Sequence, residues 1–205
     1  MTHRSALSLP VTLYCVMVIS GTALAAPSKS ACDPATAAID SAVALRDAGN
    51  AHSAAARLNA IIAQYPNSFR AQYILGTTLI QESAKQSAGE GLQRLLAAEK
   101  LLPSQTPYCV SEYGWYSIYN SIGAQYFKNK DYSLAISYYK LGLTHYNELY
   151  EQPQRELAGN LGLYYFQQGD LDQSLIYYQM AQKARSHQAA ARIATVKSLI
   201  AMRSR

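Results

Sequence analysis

Residues 155–181 read RELAGNLGLYYFQQGDLDQSLIYYQMA, and residues 116–142 read YSIYNSIGAQYFKNKDYSLAISYYKLG. The two stretches align without a gap. In the earlier one Ile122-Gly123 is followed by Tyr126, Ala135, Tyr139 and Gly142; in the later one Leu161-Gly162 is followed, at the same intervals, by Tyr165, Ser174, Tyr178 and Ala181. Self-similarity of this kind marks a repeat architecture, in which each unit covers the apolar face of the next. Within each stretch the apolar residues recur at helical period on both sides of a tight turn, Lys128-Asn129-Lys130-Asp131 or Gln167-Gln168-Gly169-Asp170. Gly169 and Asn129 tolerate the left-handed backbone that ends a helix, and Asp170 is placed to cap the following one. Gly123 and Gly162 form a notch that lets the paired helix approach closely.

The same pattern extends upstream in weaker form. Leu75-Gly76 with Leu79 marks one first helix, and Ser41-Ala42 with Leu45 an earlier one; their second helices end at Pro103 and Pro66. Proline cannot continue a helix interior and biases the residue before it out of helix. The four small residues Ala42, Gly76, Gly123 and Gly162 are 34, 47 and 39 residues apart. The longer intervals are read as an extended turn near Ser83 to Gly89, an insert from Ser104 to Trp115, and excess chain around Tyr150 to Pro153. After the fourth unit, Ile193, Val196 and Ile200 recur at helical spacing, as expected of a closing helix.

Asn160-Leu161-Gly162 with Tyr165, Gly169-Asp170 and Tyr177-Tyr178 resembles the tetratricopeptide repeat (TPR) family. Its helix A carries a leucine-small pair and then an aromatic; its helix B carries a small residue followed by an aromatic. The resemblance implies an all-α, right-handed solenoid of about four helix-turn-helix repeats plus a C-terminal capping helix. The expected organisation is a signal peptide at 1–25, a tail at 26–34, repeats at 35–68 and 69–105, an insert at 106–115, repeats at 116–154 and 155–188, and the cap at 189–205.

The amino terminus reads as an export signal. Arg4 precedes an uncharged stretch from Ser5 to Ala25, with an apolar centre at Val11 to Ile19 and an Ala23-Leu24-Ala25 exit. Cleavage is expected after Ala25, giving a periplasmic or secreted protein; the rival reading is a retained N-terminal anchor. Cys15 leaves with the signal, so Cys32 and Cys109 remain in a compartment that permits a disulfide, and are read either as one bridge or as two unpaired small apolar residues.

The net charge of +5 hides a gradient. Nothing after Asp172 is acidic, whereas Lys183, Arg185, Arg192, Lys197, Arg203 and Arg205 follow it. Export argues against nucleic acid, so membrane contact is confined to the surface of the basic C-terminal helix and a solvated helix face is the plainer reading.

No enzyme is expected. His52, His145 and His187 are scattered without ligand spacing, and neither a phosphate-binding glycine loop nor a nucleophile elbow occurs. No cofactor or metal is expected either; Asp170-Leu171-Asp172 is too short a fragment for a calcium loop.

Carried over from the family, the concave groove is expected to hold Tyr73, Thr77 and Ile80, then Asn120, Ala124, Phe127 and Lys128, then Leu163, Phe166 and Gln167. Ile80, Phe127 and Phe166 occupy equivalent places, forming a row of apolar side chains that is either a recognition surface or buried by a neighbouring element. The expected function is a cell-envelope adaptor that holds a peptide of a protein partner, with secretion, pilus assembly or cell-wall work supplied only by analogy of fold. Fourteen of the seventeen tyrosines lie between Tyr108 and Tyr178. Those outside the packing positions, among them Tyr116, Tyr138, Tyr164 and Tyr177, leave open a glycan-binding surface; a secreted factor acting on another organism is a third reading.

Overall fold

The computed structural model describes residues 33–82, 85–102, 115–144 and 151–204. Among them are nine helices: α1 (Thr36–Asp47), α2 (Ala51–Gln64), α3 (Phe69–Gln81), α4 (Lys85–Leu101), α5 (Trp115–Lys128), α6 (Tyr132–Thr144), α7 (Glu151–Gln167), α8 (Leu171–Lys183) and α9 (His187–Arg203). Each packs on its neighbour in the chain, so α1/α2, α3/α4, α5/α6 and α7/α8 form four antiparallel A/B pairs, closed by α9. Helix α1 also touches α3, and α5 touches α7, whereas successive B helices meet at most marginally. The A helices therefore line the inner, concave side and the B helices the outer one.

Small residues set the closeness of each pair. An ideal Cβ on Gly123 would lie 2.7 Å from Cε1 of Tyr139, and one on Gly162 would lie 2.5 Å from Cδ1 of Tyr178. The ring that enters each notch thus comes from helix B. In the second repeat, Gly76 and Gly91 bring two backbones together: a Cβ on either would come within 2.9 Å of the other's carbonyl oxygen. Ser174, fully buried on α8, donates its hydroxyl to the Gly162 carbonyl at 2.9 Å, so its polar atom is satisfied inside the helix pair.

The core is strung along the array in successive clusters. Leu75, Leu95, Ile118, Ile122, Leu157 and Leu161 are all fully buried, each contributing roughly 1.5–3 kcal/mol relative to exposure. At the C-terminal end, Ile193 and Val196 of α9 join Tyr178, with Ile200 packed alongside, so α9 covers the last repeat. At the other end, Asp33 accepts from the Ala35 backbone N–H at 2.9 Å and from the Ser68 hydroxyl, while Ser68 accepts from the N–H of Ala71 and so caps α3.

Several local expectations are corrected. In the α5–α6 turn Lys130, not Asn129, takes the positive φ of 65°; Gly169 holds the equivalent place at 76°. Asp170 caps α8 by accepting from the Gln173 N–H at 3.1 Å, as its position suggested. The extra residues of the second repeat do not extend the turn as far as Gly89, because α4 already begins at Lys85 and they lengthen helix B. The excess before the fourth repeat likewise lengthens helix A. Helix α7 starts at Glu151, a turn before Arg155, and holds Pro153 in its first turn, where a missing N–H costs no helical bond. Trp115, placed at the end of the insert, is the first residue of α5. Pro103, Cys32 and Cys109 lie outside the described residues.

Candidate functional site

Adjacent A helices are joined by one recurring seam on the concave side. On α3, the half-buried Tyr73 bonds through its hydroxyl to Ser117 and Ser121 of α5, and burial raises its pKa. On α5, the equivalent residue is Asn120. Its Oδ1 accepts from Asn160 Nδ2 at 2.8 Å, and its own Nδ2 donates to Glu156 Oε2 at 3.5 Å, both on α7. Glu156 and Asn160 stand 39 residues after Ser117 and Ser121. At each of these two junctions one polar side chain thus reaches two residues a helical turn apart on the next repeat, fixing their register; at the α1–α3 junction the equivalent place is the buried, apolar Ile39.

The expected groove residues divide into seam, packing and open surface. Tyr73 and Asn120 are seam residues, and Thr77 bonds back to the Ile74 carbonyl at 3.0 Å. Ile80 packs with the second core cluster and faces Gly91, where a Cβ would meet its Cγ1 at 2.8 Å. Phe127 lies edge-on to Tyr132 at 5.3 Å and against the Leu157–Leu161 cluster. Phe166 packs against the Tyr178–Ile193–Val196 cluster and, with Leu163, lines a smaller pocket of about 190 Å³ beside Arg192 and Thr195 of α9. Ile80, Phe127 and Phe166 are therefore each half-buried, packed on one side against neighbouring helices. Ala124 and Leu163 stay partly exposed, and Lys128 and Gln167 fully so.

Beside Leu163 the concave face opens into a cleft of about 640 Å³, lined from α5 and α7 by Asn120, Arg155, Glu156, Gly159 and Asn160, and from α9 by His187, Gln188 and Arg192. The Arg192 guanidinium lies over the Tyr178 ring, 5.4 Å from its centre, and bonds to the Tyr178 hydroxyl. Arg155, Glu156, Gly159, His187 and Arg192 were not anticipated. The legible signal was the 39-residue interval, which carries Asn120 onto Gly159 and so removes a seam side chain.

The described tyrosines outside the family's packing positions are taken up inside the array. Tyr138 stacks on Tyr126 at 5.6 Å and Tyr177 on Tyr165 at 5.5 Å, the latter pair within 1° of parallel. Tyr164 meets Tyr165 edge-on at 5.2 Å and Tyr132 at 5.8 Å. Tyr116 packs against the third core cluster. The Tyr138 hydroxyl donates to Glu99 at 3.2 Å, and burial pushes both groups' pKa values up. Such ring pairs add about 0.5–1.5 kcal/mol each beyond area burial. Tyr108, Tyr113, Tyr146 and Tyr150 lie outside the described residues.

Among the described residues no group of His, Cys, Asp or Glu is arranged to hold a metal, and no helix is long and apolar enough to cross a membrane. Paired helices, notch glycines and a concave A-helix face define a helical-repeat protein. A tetratricopeptide repeat family model matches residues 39–102 and 121–189, well over half of the chain, and the chain belongs to that family, whose repeats are scaffolds for protein–protein interaction. The crystal structure of MamA protein is similar at a TM-score of 0.63 and 17% identity, over 82% of this chain and 84% of that one. A second MamA crystal structure gives 0.59 and 20%, over 78% and 85%. PilW, a widely conserved type IV pilus biogenesis factor, gives 0.44 and 15%, over 81% and 87%. At these identities the likeness concerns the fold. No curated protein sequence matches the chain.

Proposed function

We propose that the protein is an adaptor of the cell envelope, exported by residues 1–25, which holds an extended segment of a partner protein along the concave face of α3, α5 and α7. The observation that carries this reading is the continuity of that face: open positions at Ala124, Lys128, Leu163 and Gln167 run beside a polar seam into the cleft of about 640 Å³. A cleft of that size, with polar groups converging from three helices, suits a peptide segment. A glycan surface of stacking tyrosines draws no support from Tyr138, Tyr164 and Tyr177, whose rings are occupied by other rings.

Photo-crosslinking in cells tests it. A photoreactive residue at Ala124 or Leu163 should give one discrete protein adduct, and one at Ile176, 51% exposed on the outer helix α8, should not. Adducts only from Ile176, or none from any position, would reject the concave face as the docking surface. Amino-terminal sequencing of the envelope fraction should begin at Ala26; recovery of the chain in the cytoplasm alone would reject export.

A further inference from the structure

The junction between α7 and α9 breaks the pattern of the seam. At the two preceding junctions a side chain from the equivalent place, Tyr73 or Asn120, crosses to the next helix. In the fourth repeat that place is Gly159. An ideal Cβ on Gly159 meets nothing within 4 Å, unlike the notch glycines Gly123 and Gly162, so no packing requires a glycine here. A glycine inside a helix, without a close approach to explain it, costs stability relative to alanine. What it leaves is the space that forms the cleft.

The charges around that space do not balance. Among the described residues Arg155 makes no ion pair, and Arg192 is held by the Tyr178 ring and by Gln188 Oε1 at 3.4 Å, not by a carboxylate. His187 adds an imidazole on the α9 side. The single carboxylate of the lining, Glu156, is engaged by Asn120. No acidic residue follows Asp172 in the sequence. Two guanidinium groups, Arg155 from α7 and Arg192 from α9, line the one cleft and match a carboxylate, for which the planar fork of arginine is suited.

We propose that the Gly159 cleft receives an aspartate or glutamate side chain of the partner segment, held by Arg155 and Arg192. This rests on the concave-face reading above and specifies the chemistry of what lies there. In a cleft of about 640 Å³ that opens on the concave face, the segment runs through with an acidic side chain turned towards the arginines.

The test uses random peptides displayed on phage and joined to the coat protein at their carboxy ends, so that no terminal carboxylate is free. Peptides enriched on the immobilised protein should share one Asp or Glu position, and its change to Asn or Gln should weaken binding at least tenfold. Gly159→Asn, which restores a seam side chain, should weaken the same peptides at least tenfold without lowering the melting temperature. Arg155→Gln, a change at a side chain with no ion pair to lose, should abolish the acidic preference. Enriched peptides without an acidic position, or acid-dependent binding unchanged in both variants, would overturn the cleft assignment while leaving the concave face standing. No enrichment at all would overturn both.

Discussion

The ring of Tyr178 occupies the place that a side chain on Gly162 would need, 2.5 Å from the ideal Cβ, and at 2% exposure it has no room to retreat. Gly162→Ala must push α7 and α8 apart, and overpacking of this kind costs about 1–3 kcal/mol. Three residues earlier the same chemical change has the opposite sign. Gly159→Ala enters open space in a helix interior and should add about 0.5–1 kcal/mol. Denaturant unfolding of the two variants decides it; shifts of the same sign would mean that the α7–α8 approach is misplaced.

The Asn120–Asn160 bond joins two repeats across the seam at 2.8 Å. Each single change to Ala removes a partner from a half-buried amide and should cost about 0.5–1.5 kcal/mol. The double variant should cost less than the sum, because residues in direct contact couple. Strict additivity in a double-mutant cycle would show that the bond does not form in solution.

Helix pairing was legible because it rests on intervals: a glycine and an aromatic ring sixteen residues on, Gly123 to Tyr139 and Gly162 to Tyr178, restate one helix-pair geometry. The fate of individual surface residues was not. Phe166 looks exposed from its own helix and is half-buried where residues of α8 and α9 meet it, and the α9 part of that contact is not encoded by repeat spacing. Tyr138 and Tyr177 were ambiguous for the same reason, since a tyrosine between core and surface reveals its role only when its partner ring is placed. The cleft was hidden by an absence: the informative residue, Gly159, has no side chain to notice.

Burial pushes Tyr139 up to about 12, and raises Tyr73, Tyr119, Tyr138 and Tyr178 above the ordinary 10.0. For groups with a raised native pKa the folded state holds more protons than the unfolded one, so their contribution is present below pH 10 and lost as the pH climbs through the native values. Alkaline unfolding should therefore begin above pH 10. An absorbance titration should show exposed tyrosines ionising first and the remainder only as helical circular dichroism is lost. Ionisation of every tyrosine near pH 10 with the helices intact would contradict the burial of Tyr73, Tyr139 and Tyr178.

We propose that Cys32 and Cys109 are joined in the exported protein. Asp33, the residue after Cys32, is pinned to Ser68 and the Ala35 N–H, so this end of the chain is held against the start of α3, and closing so long a loop restricts the unfolded state. Thiol labelling of the denatured protein should rise by two groups per chain after reduction. Equal labelling before and after would remove the bridge.

The concave face is separated from the interior by comparing Phe127 and Phe166 with Ala124, which lies on the same helix as Phe127 and a turn before Lys128. Truncating a fully buried phenylalanine costs about 3–5 kcal/mol. Phe127 and Phe166 are half-buried against Tyr132 and under α9, so Phe127→Ala and Phe166→Ala should each cost about half of that, and any loss of peptide binding should follow the loss of fold. Ala124→Glu acts differently. It adds a side chain at a partly exposed helix position, where stability should change by about 1 kcal/mol or less, yet it puts bulk and negative charge on the path of an acidic segment. Affinity for the display-selected peptides should fall by roughly 1–3 kcal/mol, with a wild-type melt. If Ala124→Glu binds those peptides as tightly as the wild type, the segment does not cross α5, and the docking surface is confined to the Gly159 cleft.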